Sequence, residues 1–465
     1  MNAETAQRRL QLLAELRQRH TASAAELATA LGISQPTVSR LTRATPGVIA
    51  MGRARATRYA LAHEIGREGS RWPLYRLDAQ ARAQPLGQLQ ALHGGGFYLE
   101  ADTALPAFTH GDYALGAHAA HYPGLPWFLD DQRPQGFLGR AFAQRVAPLI
   151  GAHPDVLQWP PDDTVLALLR FGFDPPGDLI LGDAALAQAM AAVLDPPDVI
   201  DIDAVAAAYA ERAEAALRGE IIGSSAAGEQ PKFTATLRQA DGRLLPVIVK
   251  FSERGHSPAA QRWADLLHCE HLASEVLREH HLPAAHSHIV QGDGRVFLQS
   301  TRFDRSPEGG RHGFVSLAAL DAAYYAHGRI DWWVFAAQLE HDGWLDSEDA
   351  SRLATLGWFG ALIGNSDMHL GNAGLILTAQ RPLALAPSYD MLPMLWRPSA
   401  HGEIIARDFQ PPLPTPAQHA HWRLAAQMAL DFWRQSSEWG ALSEDFRHIA
   451  KHALARIERA ISAFG

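Results

Sequence analysis

Three β-branched apolar residues run directly into a lysine at Val247-Ile248-Val249-Lys250, and this stretch constrains the chain more than any other of its length. Such a run drives a strand inward. An ammonium group at the end of a buried strand is costly unless negative charge receives it. The fold must therefore bring an anion or a carboxylate to that strand end. Glu270, on the helical stretch that follows, is placed to serve, and so is a bound phosphate. On these residues alone two plainer alternatives stay open: a strand-end lysine reaching solvent and an exposed helix glutamate.

The surroundings set the architecture. Between 221 and 303 the pattern is strand-like: FTATLRQ, a turn at Asp241-Gly242-Arg243, LLPVIVKF, one long helix, then HSHIV and RVFLQSTRF. Beyond 330 it is mostly helical. Helical patterns also occupy 137–150, 162–171 and 202–218, whereas 62–135 is rich in Gly, Pro and Trp with short strand-like pieces. A strand-rich lobe followed by a helix-rich lobe predicts an α+β architecture with a cleft between the two. At 465 residues several units are expected, and the pattern divides them at 1–62, 63–220, 221–305 and 306–465. The chain is 47% hydrophobic and 20% charged, without the apolar run of a membrane span or the pattern of a secretory signal near its start, which predicts a cytoplasmic protein with no membrane partner. The single cysteine, Cys269, reads as a small buried helix residue. The histidines between 268 and 288 complete no zinc spacing, and the tryptophans read as core.

A net charge of −9 excludes a chain that coats nucleic acid as a whole, but the first sixty residues carry a local basic surface. Leu10, Leu13 and Leu16 mark one helix; Ser23 caps a second, which stops at Gly32; a third opens at Ser34 and Pro36 with Val38 and Leu41 inward. VIAMGRARATRYAL around Gly52 predicts a hairpin. This arrangement resembles the winged helix-turn-helix domains of bacterial regulators. In that geometry Gln35, Thr37, Ser39 and Arg40 face base edges, while Arg43, Arg53, Arg55 and Arg58 hold phosphates. Such domains often bind paired half-sites as dimers. A small helical bundle for protein contact is the plainer alternative.

Two further stretches bear on the lysine. Gly223-Ser-Ser-Ala-Ala-Gly228-Glu-Gln-Pro-Lys232 is built of small residues that let backbone N–H groups turn toward one anion. It is not a Walker A loop, because Glu229 stands where that motif has its lysine, and alone it reads as a flexible turn. Gly364-Asn-Ser-Asp367-Met-His369-Leu-Gly-Asn372 places an aspartate and an asparagine at the spacing of a kinase catalytic loop, and Ala386-Pro-Ser-Tyr389-Asp390 adds a second carboxylate. Asn372 and Asp390 are hard oxygen donors suited to Mg2+, and Asp367 is a base for a hydroxyl proton.

SAAGEQPK, TRFDR, GNSDMHLGN and APSYDML, in this order, resemble the motifs of HipA-like serine/threonine protein kinases, the toxins of type II toxin-antitoxin systems, and LPWFLDDQRPQGFLGRAF resembles that family's N-terminal subdomain. The resemblance covers roughly 65–460. It implies a protein-kinase-like two-lobed HipA fold behind an all-α winged helix-turn-helix domain. It also implies ATP and Mg2+ as cofactors, a protein substrate phosphorylated on serine or threonine, and toxicity. The implied ATP site is Ala227, Gly228, Glu229, Gln230, Pro231, Lys232, Lys250, the hinge Thr301, Arg302 and Phe303, then His369, Leu370, Gly371, Asn372, Tyr389 and Asp390, with Asn372 and Asp390 on the metal and Asp367 catalytic. Ser225 matches a serine that family members phosphorylate on themselves, which adds a dianion to the loop and opposes ATP. Glu229-Gln-Pro and Thr301 depart from the usual family residues. The fused DNA-binding domain is a larger departure, since family members generally obtain DNA contact from a separate antitoxin, so this chain either works without that partner or borrows one. Two other functions remain: a nucleotide-sensing transcription regulator with a non-catalytic kinase fold, and a small-metabolite kinase.

Overall fold

The computed structural model describes residues 3–52, 57–109, 111–197, 199–220 and 230–464. Its first unit runs α1 (Ala3–Arg19), β1 (Thr21–Ser23), α2 (Ala24–Leu31), α3 (Gln35–Ala44), β2 (Val48–Met51) and β3 (Arg58–Leu61). Ser23 caps α2 reciprocally: its Oγ accepts from Glu26 N at 3.2 Å, and the Glu26 carboxylate accepts from Ser23 N at 2.6 Å. Gly32 ends that helix at φ +62, a conformation open to glycine. The stripe of α1 that meets the core passes through Leu12 and Leu16, so Leu10 is left 69% exposed although its spacing suggested the inner face. The wing is a three-stranded sheet in the order β1-β3-β2, to which Thr21–Ser23 add a strand too short to show any alternation.

The wing rests on the next unit through Met51, Ala60, Leu92, Tyr98 and Ala119, and the rings of His20 and His93 stack 6.0 Å apart across the junction. That unit is a five-stranded sheet in the order β7-β6-β5-β4-β8, from β4 (Arg71–Leu77), β5 (Ala83–Ala91), β6 (Phe97–Glu100), β7 (Ala119–Tyr122) and β8 (Leu179–Leu181). Helices α4 (Gly136–Ile150), α5 (Pro161–Phe171) and α6 (Asp183–Leu194) accompany it.

A second five-stranded sheet, ordered β12-β13-β11-β10-β9, carries the lysine strand at its centre. Its members are β9 (Val199–Asp201), β10 (Lys232–Arg238), β11 (Leu244–Phe251), β12 (Ser287–Gly292) and β13 (Arg295–Thr301). Helix α7 (Val205–Leu217) packs Tyr209 and Ala213 onto Phe233, Val247, Val249 and Phe297 of this sheet. Residues 199–217 thus pair and pack with the sheet that follows them, on the far side of the sequence division at 220, because a three-residue parallel strand leaves no period to read.

Helix α8 (Pro258–Glu279), capped by Ser257 Oγ, lies against β11, β12 and β13 and sends Leu266, Leu272, Val276 and Leu277 into the main core. The remainder is the small sheet β14 (Phe314–Ser316), β15 (Gly374–Ile376) and β16 (Ala384–Leu385), with helices α9 (Leu317–Tyr324), α10 (Trp332–His341), α11 (Ser347–Leu362), α12 (His419–Glu438) and α13 (Glu444–Phe464). Trp422 and Trp433 are fully enclosed there, and Trp333 stacks on Trp358 at 4.1 Å, so these indoles build core. Cys269 is enclosed too, and burial pushes its thiol up. Among the described residues no helix is long and apolar enough to cross a membrane.

Candidate active site

Lys250 is the penultimate residue of β11, and its side chain is 6% exposed. The ammonium group donates to both oxygens of Glu270 on α8, at 2.6 and 2.8 Å, and also to the carboxylate of Asp390. Burial alone lowers a lysine, but Asp390 and Glu270 together raise Lys250, so it stays an ammonium. Burial likewise opposes ionisation of Asp390, yet Lys250 and Lys232 hold its carboxyl below the ordinary range. Glu270 is pushed up by burial against the pull of Lys250. Two carboxylates thus face two lysines, Lys250 by direct contact and Lys232 through its charge.

The second half of the site follows α11. The chain turns at Gly364, whose φ of +74 suits glycine, and enters a loop held by its own side chains. Asn365 Oδ1 accepts from Asp367 N at 3.0 Å, and Asn365 Nδ2 donates to the Asp390 carbonyl at 3.4 Å. His369 Nδ1 accepts from Gly371 N at 3.0 Å. Asn372 Nδ2 donates to the Asp367 carbonyl at 2.8 Å, and Tyr389 donates its hydroxyl to the Gly371 carbonyl at 2.8 Å. This web fixes the loop of Asp367 and Asn372 against the segment of Tyr389 and Asp390. Asp390 itself has φ +55, a strained conformation for a residue with a Cβ, of a kind that functional sites retain.

Asn372 is buried, and its Oδ1 has no hydrogen-bond partner. An orphaned amide oxygen, on a loop tied by Asn365 and Tyr389 to the segment of a carboxylate that is kept ionised, fits a hard divalent cation such as Mg2+.

A cavity of about 80 Å3 opens between the sheet and the segment of Tyr389 and Asp390, lined among others by Lys232, Lys250, Thr301, Phe303, Tyr389 and Asp390, while Asp367 and Asn372 are not among its lining residues. The rings of Phe303 and Tyr389 lie 5.8 Å apart at 31° and border it. Lys232, paired with Lys250 in register, is buried. Leu370 and Gly371 are buried in the turn that His369 caps, and the Pro231 carbonyl accepts from Phe251 N at 3.2 Å. Gln230 is the first described residue after the small-residue loop, so Ser225, Ala227, Gly228 and Glu229 lie outside the described residues.

The hinge differs from a simple backbone contact. Thr301 N donates to the His286 carbonyl at 2.8 Å and Arg302 N to the Pro246 carbonyl at 3.0 Å, so both N–H groups are already committed. The Arg302 guanidinium reaches Asp304 at 3.0 Å and Asp174 at 2.8 Å, a partner 128 positions away in the chain. Asn365, Asp174, Asp304 and Arg305 join the residues the sequence singles out: Asn365 falls within GNSDMHLGN and Asp304 and Arg305 within TRFDR, whereas Asp174 gives no local signal.

In the first unit Gln35, Arg40 and Arg43 are exposed on α3, with Thr37 and Ser39 half-buried beside them. Arg40 donates to Thr37 Oγ1 at 3.3 Å. Arg58 departs from the expected phosphate contact: its guanidinium donates to Thr21 Oγ1 at 3.1 Å and approaches Glu26 at 3.8 Å, which ties β3 to β1 and α2. Arg53 and Arg55 lie outside the described residues.

Comparison with known proteins adds to this geometry. A model of the YjjJ-like toxin middle domain matches residues 68–190, and one of the HipA-like C-terminal domain matches 224–461. Toxin YjjJ of Escherichia coli (strain K12) is 34% identical over 447 residues, covering 95% of this chain and 97% of that protein. A chain of the Shewanella oneidensis MR-1 toxin-antitoxin complex of HipA, HipB and operator DNA superposes with a TM-score of 0.54 at 15% identity, across 84% of this chain and 97% of that one. At that identity the likeness establishes a common fold.

Proposed function

Because the chain belongs to the YjjJ-like toxins of the HipA-like family, we propose that it is an ATP- and Mg2+-dependent protein kinase that acts on serine or threonine hydroxyls. The observation that carries this reading is the buried Lys250 between Glu270 and Asp390, joined through Tyr389 and Gly371 to a loop where Asn372 offers an unpartnered oxygen. Phosphoryl transfer needs mostly positioning and charge neutralisation. Lys250 orients ATP phosphates, and Phe303 and Tyr389 wall the inner cleft. Asn372 Oδ1 and the Asp390 carboxylate are the groups to hold Mg2+, which when bound neutralises phosphate charge. Asp367 accepts the proton of the attacking hydroxyl.

In this reading residues 227–232 cover the phosphates, and phosphorylation of Ser225 opposes ATP binding there; a Ser225→Asp protein with undiminished ATP affinity contradicts that regulation. The first 62 residues bind DNA through Gln35, Thr37, Ser39, Arg40 and Arg43. The E. coli relative is called a toxin, and the Shewanella HipA is found with HipB and operator DNA, which supports growth inhibition, a DNA partner and an antitoxin for this chain as well.

The test is incubation with γ-labelled ATP, Mg2+ and a protein extract, followed by identification of the labelled residues. Label on protein serine or threonine with the wild type, and none with Asp367→Asn, is the expected result. Equal labelling by both proteins, or by neither, overturns the reading.

A further inference from the structure

A second cavity, of about 710 Å3, lies on the other side of the hinge segment, between α4, α6, the sheet of β10 and β11, and residues 302–311. That volume suits a ligand of nucleotide size. Its lining is unbalanced in charge, with seven arginines against three carboxylates, and is otherwise partly apolar, with Phe142, Leu168 and Phe171.

Three of the arginines, Arg302, Arg305 and Arg311, are buried together. Asp174 accepts from Arg302 at 2.8 Å and from Arg305 at 2.5 Å, and Asp304 accepts from Arg302 at 3.0 Å and from Arg305 at 2.8 Å. Two carboxylates therefore satisfy two guanidinium groups and leave the third. Arg311 is 6% exposed, donates Nη2 to the Phe173 carbonyl at 2.5 Å, and has no partner at Nη1. Burial, and then the like charge of Arg305, push its guanidinium down to about 9. Asp174 and Asp304 act on Arg311 only through space, and a buried cation with no carboxylate in contact is an expensive arrangement for a fold to retain, unless an anion completes it.

We propose that this cavity binds a small organic anion, whose phosphate or carboxylate head pairs with Arg311 beside Arg305 and whose body lies against the wall of Phe142, Leu168 and Phe171. The site is separate from the proposed ATP cleft and does not depend on it. Arg302 lines both cavities and precedes Phe303, so an occupant of the second reaches the hinge of the first.

The test titrates the full-length protein with pyrophosphate and, separately, with citrate, by calorimetry. The two probes distinguish a phosphate from a carboxylate head. Saturable binding of at least one is expected, retained in Lys250→Met and weakened at least about tenfold in Arg311→Gln, the worth of one charge-assisted hydrogen bond. Arg243, 76% exposed and lining the same cavity, gives a variant that leaves the core untouched, and Arg243→Glu should weaken the same probe about threefold or more. Saturable binding by neither probe overturns the proposal. So does binding that is lost in Lys250→Met, or binding that neither arginine variant alters.

Discussion

Asn372 gives its side-chain N–H to the Asp367 carbonyl at 2.8 Å and keeps its own Oδ1 buried with no partner, so one amide both shapes the Asp367 loop and presents a free oxygen. The two roles separate by substitution. Asn372→Asp keeps an oxygen but loses the donor; Asn372→Leu loses both. Removing one preorganised group facing developing charge costs about 3–4 kcal/mol in comparable sites, two to three powers of ten in rate. The expected order of phosphoryl-transfer rates is wild type, Asn372→Asp, Asn372→Leu, with the last down by at least about a hundredfold. A rate for Asn372→Leu within a few-fold of wild type contradicts the assignment.

Lys250 is the shared partner of two carboxylates, which makes its removal a stability experiment as well. Breaking a buried ion pair from one side costs about 3–5 kcal/mol, while replacing both partners by apolar groups is often close to neutral. Lys250→Met should therefore lower the denaturant midpoint strongly, and adding Glu270→Leu should recover part of the loss, because Asp390 still stands without Lys250. A double variant as unstable as the sum of the two singles contradicts the pairing.

Legibility of this site followed how local each signal was. Lys250 could be picked out because three β-branched neighbours commit it to a buried strand. Asp367, Asn372 and Asp390 could be picked out because the chemistry demands short spacings. The pairing of Lys250 with Glu270 was left open, since an amphipathic helix leaves two faces available and only packing decides between them. The partner of the hinge arginines is out of reach for a different reason: Arg302 and Arg305 are held by Asp174, and nothing near Asp174 in sequence announces a partner 128 positions on. The sheet of β4 to β8 was equally obscure, because its strands include three- and four-residue pieces and the β4–β5 register shifts at Leu74/Tyr75.

A pH dependence follows from His268. It is enclosed on α8 with its ring edge-on to Trp439 at 5.1 Å, and burial, then His271, push its imidazole from 6.5 down to about 4. The unfolded chain takes up a proton between those values that the folded chain refuses. This residue's contribution is therefore full above about pH 6.5 and is lost as pH falls toward about 4, by on the order of 2–3 kcal/mol. The drop in urea midpoint from about pH 7 to about pH 4.5 should be smaller in His268→Phe than in wild type; equal drops contradict the burial argument.

Within the first unit, the proposed base readers and phosphate contacts separate by salt dependence. Arg43→Ala should weaken binding evenly across sequences and reduce the slope of log affinity against log salt by about 0.9, whereas Gln35→Ala should relax sequence preference with the slope unchanged. Arg58→Ala should act first on folding, since its guanidinium holds Thr21 and Glu26. A thermal midpoint unmoved in Arg58→Ala, with DNA affinity lost, returns that arginine to the phosphates.

If the lysine strand, the Asp367 loop and the Asp390 segment meet on one magnesium nucleotide, calorimetry of ATP with and without Mg2+, on wild type and Asp390→Asn, reads it. Mg2+ should strengthen ATP binding to the wild type by at least about tenfold and change it little in the variant. An undiminished Mg2+ effect in Asp390→Asn would contradict it.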